Sequence, residues 1–401
     1  MTISESIDPN LILVLPDTDE VDPEISIVVP ALNESFTIGE FVAWCHEGLR
    51  KADIKGEILI VDSSTDNTGA IALAAGARVL KVPKRGLGRA YIDALPFIRG
   101  KYALLGDCDL TYDFRELEPF VKELRNGADF VMGSRFRGYI EPGAMPALHR
   151  YFGTPLTTFL LNLIYKSSYS DIHCGMRALT TDAFRRLNIQ SQSWEYASEM
   201  VLKAARMKMK IAEAPIRFYK DREGRLSHHK RSGWFSPWHA GWINLKAMFL
   251  NAPEFFLFRP GGILFCLGFL LTLITAFGPR TIGPVTLSLH WMLLGLTLAT
   301  VGSGALQLGI LARVRHNFDP RFTSHARRVL TYDRGTLGGL AMFLVGTGFA
   351  AIALIAYLRG GLALRDVHYT SVFGLLLIIL GFQLFTFTLV FELMLYDRNR
   401  Q

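Results

Sequence analysis

Four long apolar stretches, about 261–279, 287–311, 337–358 and 371–395, constrain this chain more than any other feature of its sequence. Each reaches or exceeds the ~18–20 residues that a hydrocarbon core of ~30 Å demands of a helix. The link between the second and third carries Arg313, Arg315, Arg321, Arg327, Arg328 and Arg334, whereas the other two carry only Arg280, and Arg359 with Arg365. The excess of positive charge retained on the cytoplasmic side of membranes places the arginine-rich link there. With four spans, both termini follow it to that side. The expectation is an integral, multi-pass membrane protein with a cytoplasmic soluble part, N-in and C-in.

Up to about residue 255 the chain mixes charge and apolar residues as a water-soluble domain does. Residues 1–24 hold seven acids (Glu5, Asp8, Asp17, Asp19, Glu20, Asp22, Glu24) and no Lys or Arg. With Pro9, Pro16 and Pro23 among them, they read as a disordered acidic tail. The rest of the chain is strongly basic, which favours anionic lipid headgroups or phosphorylated substrates. No nucleic acid is expected, because the groove-reading and base-stacking signatures are missing. Cys45, Cys108, Cys174 and Cys266 are isolated and read as reduced thiols. The start of the chain lacks the basic and long apolar regions of a secretory signal.

Between residues 25 and 133, short β-branched runs alternate with helical segments. The runs are Ile25–Pro30, Glu57–Asp62, Arg78–Val82, Tyr102–Asp107 and Asp129–Gly133; the helices fall near 35–52, 67–75, 88–98 and 115–126. That alternation predicts an α/β, Rossmann-like, doubly wound sheet, with ligands beyond the carboxyl ends of the strands. Asn33, Glu34, Asp62, Asp66, Asp107, Asp109 and Arg135 all fall at those ends. Residues 146–166 are apolar, but Gly153 and Pro155 interrupt them; they predict a helix lying in the membrane interface or packed in the core. Residues 203–231 hold ten basic residues against three acids, and 232–259 interleave Trp234, Trp238 and Trp242 with phenylalanines. This makeup suits juxtamembrane helices at the lipid surface, over about 231–260.

The densest chemistry is Asp107-Cys108-Asp109 after the fourth run. Two carboxylates at a strand end suit an oxygen-loving Mg²⁺ or Mn²⁺ shared with substrate phosphates. Asp62 suits hydrogen bonds from a base or ribose, or else a helix cap shared with Ser64 or Asp66. Lys84-Arg-Gly-Leu-Gly88 reads as a phosphate cradle or a simple glycine turn. Glu199, on a helix, is assigned either to orienting sugar or acceptor or to an ordinary helix surface. His173 reads as a structural histidine rather than a ligand.

Taken in order, Pro30-Ala-Leu-Asn-Glu34, Val61-Asp-Ser-Ser-Thr-Asp-Asn-Thr68, Gly86-Leu-Gly88, Gly106-Asp-Cys-Asp-Leu110 and Gly133-Ser-Arg135 resemble glycosyltransferase family 2, of the inverting GT-A type, over about 25–230. With four spans appended, the chain is similar to the polyprenyl-phosphate glycosyltransferases, relatives of dolichyl-phosphate mannose synthase. Asp171-Ile-His-Cys-Gly-Met-Arg177 and Arg222-Glu-Gly-Arg-Leu-Ser227 resemble further segments of that group. Met176 stands where the group has Phe, and Thr111-Tyr112 where it has Gln-His. His228 and His229 separate the second segment from Lys230.

The resemblance implies transfer of a hexose from a nucleotide-diphosphate sugar to a polyprenyl phosphate, with inversion, at the cytoplasmic leaflet. It implies Asp107, Asp109 and Arg135 as the catalytic set, with Asp107 and Asp109 on Mg²⁺ or Mn²⁺. Pro30, Ala31, Glu34 and Asp62 would lie around the nucleoside, Lys84 and Gly88 at its phosphates. Arg135, Arg150, Arg222 and Ser227 would receive the lipid acceptor. The alternatives are a processive polysaccharide synthase, for which Gln190-Ser-Gln-Ser-Trp194 lacks the expected Arg, and a non-catalytic nucleotide- or lipid-binding membrane protein. A homo-oligomer is compatible with all three.

Overall fold

The computed structural model describes residues 8–222, 252–316, 320–360 and 368–398. The chain divides into two compact units between residues 251 and 252. The expected juxtamembrane helices of 231–260 fall mostly outside the described residues, as do Ser227 and Lys230.

The first unit is built on an eight-stranded sheet of β1 (Ile12–Val14), β2 (Ile25–Ala31), β3 (Gly56–Asp62), β4 (Arg78–Lys81), β5 (Tyr102–Leu105), β6 (Phe130–Ile140), β7 (Arg177–Thr180) and β8 (Ile211–Phe218), in the order β1-β4-β3-β2-β5-β7-β6-β8. The four parallel strands β4-β3-β2-β5 are the expected doubly wound half. Their near-continuous apolar runs are buried on both faces, as β2 shows with Ile25, Ile27, Val28 and Val29 all at 0% exposure. The sheet as a whole is mixed, because β7 enters antiparallel between β5 and β6. Helix α1 (Ile38–Lys51) covers the sheet with Ile38, Phe41, Val42, Cys45 and Leu49, a helical spacing. Glu40 in its first turn and Arg50 and Lys51 in its last complement the helix dipole. Helices α2 (Thr68–Ala74), α3 (Leu87–Ala94) and α4 (Glu118–Arg125) follow it along the chain.

The acidic N-terminal segment is not a loose tail where it is described. β1 adds to the sheet edge antiparallel to β4, pairing Ile12 with Lys81 and Val14 with Val79. Three of its acids each meet an arginine of the folded domain: Asp8 with Arg85 at 2.7 Å, Asp19 with Arg99 at 2.7 and 2.8 Å, and Glu24 with Arg125 at 2.7 and 3.0 Å. Composition alone reads as disorder; complementary charge and an open strand edge overrule it.

Residues 148–165 form a π-helical turn (His149–Gly153) running into helix α5 (Thr154–Tyr165). Thr154, Thr158 and Leu161 face inward. Leu148, Phe152, Leu156, Phe159 and Leu163 recur on the other side at 42–61% exposure, with Tyr151 beside them. The alternative of a wholly core-packed helix is therefore excluded.

In the second unit four helices are long and apolar enough to cross a membrane: Glu254–Thr275, Leu289–Arg315, Tyr332–Arg359 and Tyr369–Tyr396. Glycines seven residues apart let them touch backbone to backbone. A methyl group on Gly268 or Gly302 would meet main chain of the paired helix at 2.3 Å, and Gly346 and Gly374 oppose each other across the third and fourth helices in the same way. A short hairpin, Arg280–Ile282 with Val285–Leu287, links the first two.

Candidate active site

The chain leaves β2 for β3 on one side, and β5 returns to pair with β2 on the other. The loops after β2 and β5 therefore diverge and open a crevice at the carboxyl ends, the usual ligand position of such sheets. Asp107-Cys108-Asp109 lies on one lip. Cys108 is buried with its thiol 3.6 Å from the Pro30 carbonyl, which ties this loop to the end of β2. Asp107 and Asp109, on either side of it, stay half-buried. Asp109 Oδ1 accepts from the Thr111 amide at 3.0 Å and its hydroxyl at 2.5 Å, a turn completed by Leu110 at φ +62°. Asp107 Oδ2 lies where a side chain on Gly175 would have to go, 2.7 Å from the position of a Cβ.

That glycine belongs to the Asp171–Arg177 segment. Its amide donates to the Tyr112 hydroxyl at 2.8 Å, so Tyr112 is committed to fixing the loop. Burial first, then the neighbouring Cys174, push the Tyr112 phenol well above its ordinary pKa. Arg177 is almost fully buried and donates to the carbonyls of Cys174 at 2.7 Å and Ala197 at 2.9 Å. It clamps the segment against helix α7 (Tyr196–Arg206).

Among the described residues no group of three or more His, Cys, Asp or Glu converges as a metal cage. Two half-buried carboxylates on one loop nevertheless fit a hard divalent ion that takes its other ligands from water and phosphate oxygens.

On the opposite lip Glu34 is buried; its amide donates to the Thr68 hydroxyl at 2.9 Å, and its carboxylate accepts from Thr37 at 3.3 Å. Ala31 is buried beside it. Asp62 sits at the strand end, 8% exposed; its Oδ1 accepts from the Ser64 amide at 2.9 Å, a turn bond rather than a helix cap, and its Oδ2 lies against Gly69. Lys84 is exposed, whereas Gly88 is buried.

The arginines divide. Arg135 is 8% exposed, and its Nε and Nη2 are bound by Asp171 at 2.7 and 2.9 Å, with its amide on the same carboxylate at 3.2 Å. Burial disfavours both charges, yet each holds the other ionised: Arg135 stays above and Asp171 below its ordinary pKa. The expected open fork for a substrate phosphate is therefore already filled. Asp171 is the residue that sequence reasoning quoted without a role; a fully buried acid needs a cation. Its Oδ1 also accepts from the His173 amide at 3.1 Å, and His173 Nε2 meets Thr157 Oγ1 of α5 at 2.8 Å. Burial lowers the His173 pKa from 6.5 to about 4, so the ring is neutral, which agrees with a structural role. Arg150 is half-buried, two turns before Thr157, with its guanidinium over Tyr151. Arg222 is exposed and paired with Glu40 at the start of α1.

An α/β sheet with paired acids at a strand end, followed by four helices long and apolar enough to cross a membrane, defines a membrane protein with an α/β domain that opens a crevice at its strand ends. Residues 26–187 match glycosyl transferase family 2, and residues 308–395 match the glycosyltransferase family 2 C-terminal transmembrane region. The chain is 32% identical over 378 residues to the low-salt glycan biosynthesis hexosyltransferase of Haloferax volcanii, covering 93% of this chain and 89% of that protein. The chain belongs to glycosyltransferase family 2 and is a glycosyltransferase with a GT-A catalytic domain. It is also 29% identical over 211 residues to the dolichyl-phosphate hexose transferase of the same organism, covering 52% of this chain and 87% of that one. Among solved structures, glucosyl-3-phosphoglycerate synthase from Mycobacterium tuberculosis, in complex with Mn²⁺, uridine diphosphate and phosphoglyceric acid, aligns over 57% of this chain and 78% of its own, at 20% identity and a TM-score of 0.43.

Proposed function

We propose that this protein transfers a hexose from a nucleotide-diphosphate sugar to a polyprenyl phosphate at the cytoplasmic leaflet, with inversion, supplying a lipid-linked sugar for cell-envelope glycosylation. The observation that carries the reading is the coexistence, in one domain, of Asp107 and Asp109 at the strand-end crevice and an outward apolar face on residues 148–163. The first suits a diphosphate donor and the second a lipid-borne acceptor. The kinship to a dolichyl-phosphate hexose transferase supports the same acceptor class.

Asp107 and Asp109 would hold Mg²⁺ or Mn²⁺, whose charge offsets the negative charge left on the departing nucleoside diphosphate. Pro30, Ala31, Glu34 and Asp62 would bound the nucleoside, with Lys84 and the Gly86–Gly88 turn at the phosphates. The acceptor is already an anion, so its phosphate oxygen attacks the anomeric carbon without needing a protein base. Orientation is what the protein must supply. Arg150 and Arg222, with Ser227, take the acceptor phosphate. Arg135, its fork spent on Asp171, contributes rigidity to the Asp171–Arg177 segment rather than a bidentate grip.

Membranes containing the protein, given polyprenyl phosphate and radiolabelled UDP-glucose, GDP-mannose or UDP-N-acetyl sugars in turn, test this. Label from one donor should enter an organic-extractable lipid and be released by mild acid. Asp109→Asn should abolish that transfer while leaving membrane insertion intact. Label in an insoluble polymer would favour a processive synthase; no transfer from any donor would overturn the reading.

A further inference from the structure

Glu199 is neither exposed on its helix nor aimed into the crevice. Its side chain is 6% exposed and accepts from the amides of Gln190 (3.0 and 3.2 Å) and Ser191 (2.8 Å), while the Lys203 ammonium bonds it at 2.5 Å. Lys203 also donates to the Asn188 carbonyl at 2.6 Å. One buried carboxylate thus pins the whole turn that follows helix α6 (Thr181–Leu187). Burial works against its charge, but Lys203 and the two amides outweigh this and hold Glu199 below the ordinary carboxylate range.

The pinned turn has one conspicuous neighbour. The Ser191 carbonyl lies 2.2 Å from where a Cβ on Gly88 would be, and the Gln192 carbonyl 2.3 Å from a Cβ on Gly86. The Arg89 amide donates to that same Gln192 carbonyl at 3.0 Å. Gly86 sits at φ +115°, a conformation that side chains resist. Tyr196 stacks on Tyr91 from the helix these glycines open, with ring centroids 4.9 Å apart. The glycine turn therefore has its shape imposed from behind, by main chain that Glu199 holds.

We infer that Glu199 is a positioning residue for the donor, acting through the 190–193 turn to fix the Gly86–Gly88 backbone against which the nucleoside diphosphate docks. The inference rests on the assignment of that glycine turn to the donor phosphates. A preformed cradle binds its ligand without first losing the entropy of ordering it. Loosening the turn should thus weaken donor binding and leave the chemical step and the acceptor site largely intact.

Full-length protein in detergent is titrated with UDP and with GDP, each with Mn²⁺, by calorimetry. Glu199→Ala should raise the Kd of whichever nucleotide binds, and the donor KM, by about tenfold or more. Glu199→Gln, keeping one acceptor oxygen, should fall between. The kcat at saturating donor and the KM for polyprenyl phosphate should stay within about twofold. A fall in kcat with unchanged Kd, or no change in either, overturns the inference. If the alanine variant does not fold, wild-type hydrogen exchange decides. Addition of the nucleotide with Mn²⁺ should protect residues 86–89 and 190–193 together, and protection of 86–89 alone overturns it. Wild-type protein that binds neither nucleotide refutes the donor assignment itself, a result distinct from equal binding by wild type and variants.

Discussion

Arg135 and Asp171 illustrate how a residue's chemistry is fixed by what it touches. Both are buried, and each is the other's compensation. Removing one partner of such a pair leaves an uncompensated charge and costs about 3–5 kcal/mol. Arg135→Ala should therefore lower unfolding stability by that order, and adding Asp171→Asn should restore part of it, measured by denaturation of the purified protein. An Arg135 that only gripped substrate would lower activity with stability unchanged. His173, on the same network, sets a pH dependence. Its pKa in the fold, about 4, lies below the ordinary 6.5, so the unfolded chain takes up the proton first. Its contribution is fully present above about pH 6.5 and is lost as pH falls toward 4. The denaturation midpoint should decline across that window in the wild type and decline less in His173→Gln.

At the scale of elements, the N-terminal strap and α5 are held by different forces. The strap is an edge strand secured by ion pairs, of which Glu24–Arg125 is largely solvated and worth about 0–1 kcal/mol. Asp19 reaches deeper: its partner Arg99 also binds Glu57, a buried carboxylate that in addition takes Arg78 at 2.6 Å and the Ser26 hydroxyl at 2.6 Å. Asp19→Asn should therefore destabilise more than Glu24→Gln. Raising salt should erase the Glu24 effect first, since exposed pairs are screened most; denaturation at two ionic strengths checks both statements. Helix α5 is held from within through Thr154, Thr158 and Leu161, with its aromatic face turned outward. An exposed apolar face of this kind marks a surface that meets a protein or a membrane.

For the whole molecule, four apolar helices and two matched family regions make a membrane glycosyltransferase. The proposed orientation rests on the arginine-rich link: reporters fused after Arg328 and at the C-terminus should read cytoplasmic, and one inserted near Gly283 external. A cytoplasmic signal at Gly283 would overturn the proposed topology. The spans themselves pair through glycines at seven-residue spacing, such as Gly295, Gly302 and Gly309, a pattern legible in the sequence once helix contacts are known to need small residues.

The parallel strands, the paired acids at a strand end and the four spans are all legible in the order of the residues. Each of these is written in local order: β-branched runs bounded by turns, i and i+2 carboxylates, and twenty apolar residues in a row. Only the tertiary structure decided that the acidic segment is a strap, that β7 runs antiparallel, that Asp171 fills the fork of Arg135 and that Glu199 holds a turn behind two glycines. Most of those outcomes join residues far apart along the chain, as Arg135 with Asp171 at 36 positions and Glu24 with Arg125 at 101. A buried charge or an open strand edge announces that it needs a partner, but which one it finds depends on the path of the chain between them.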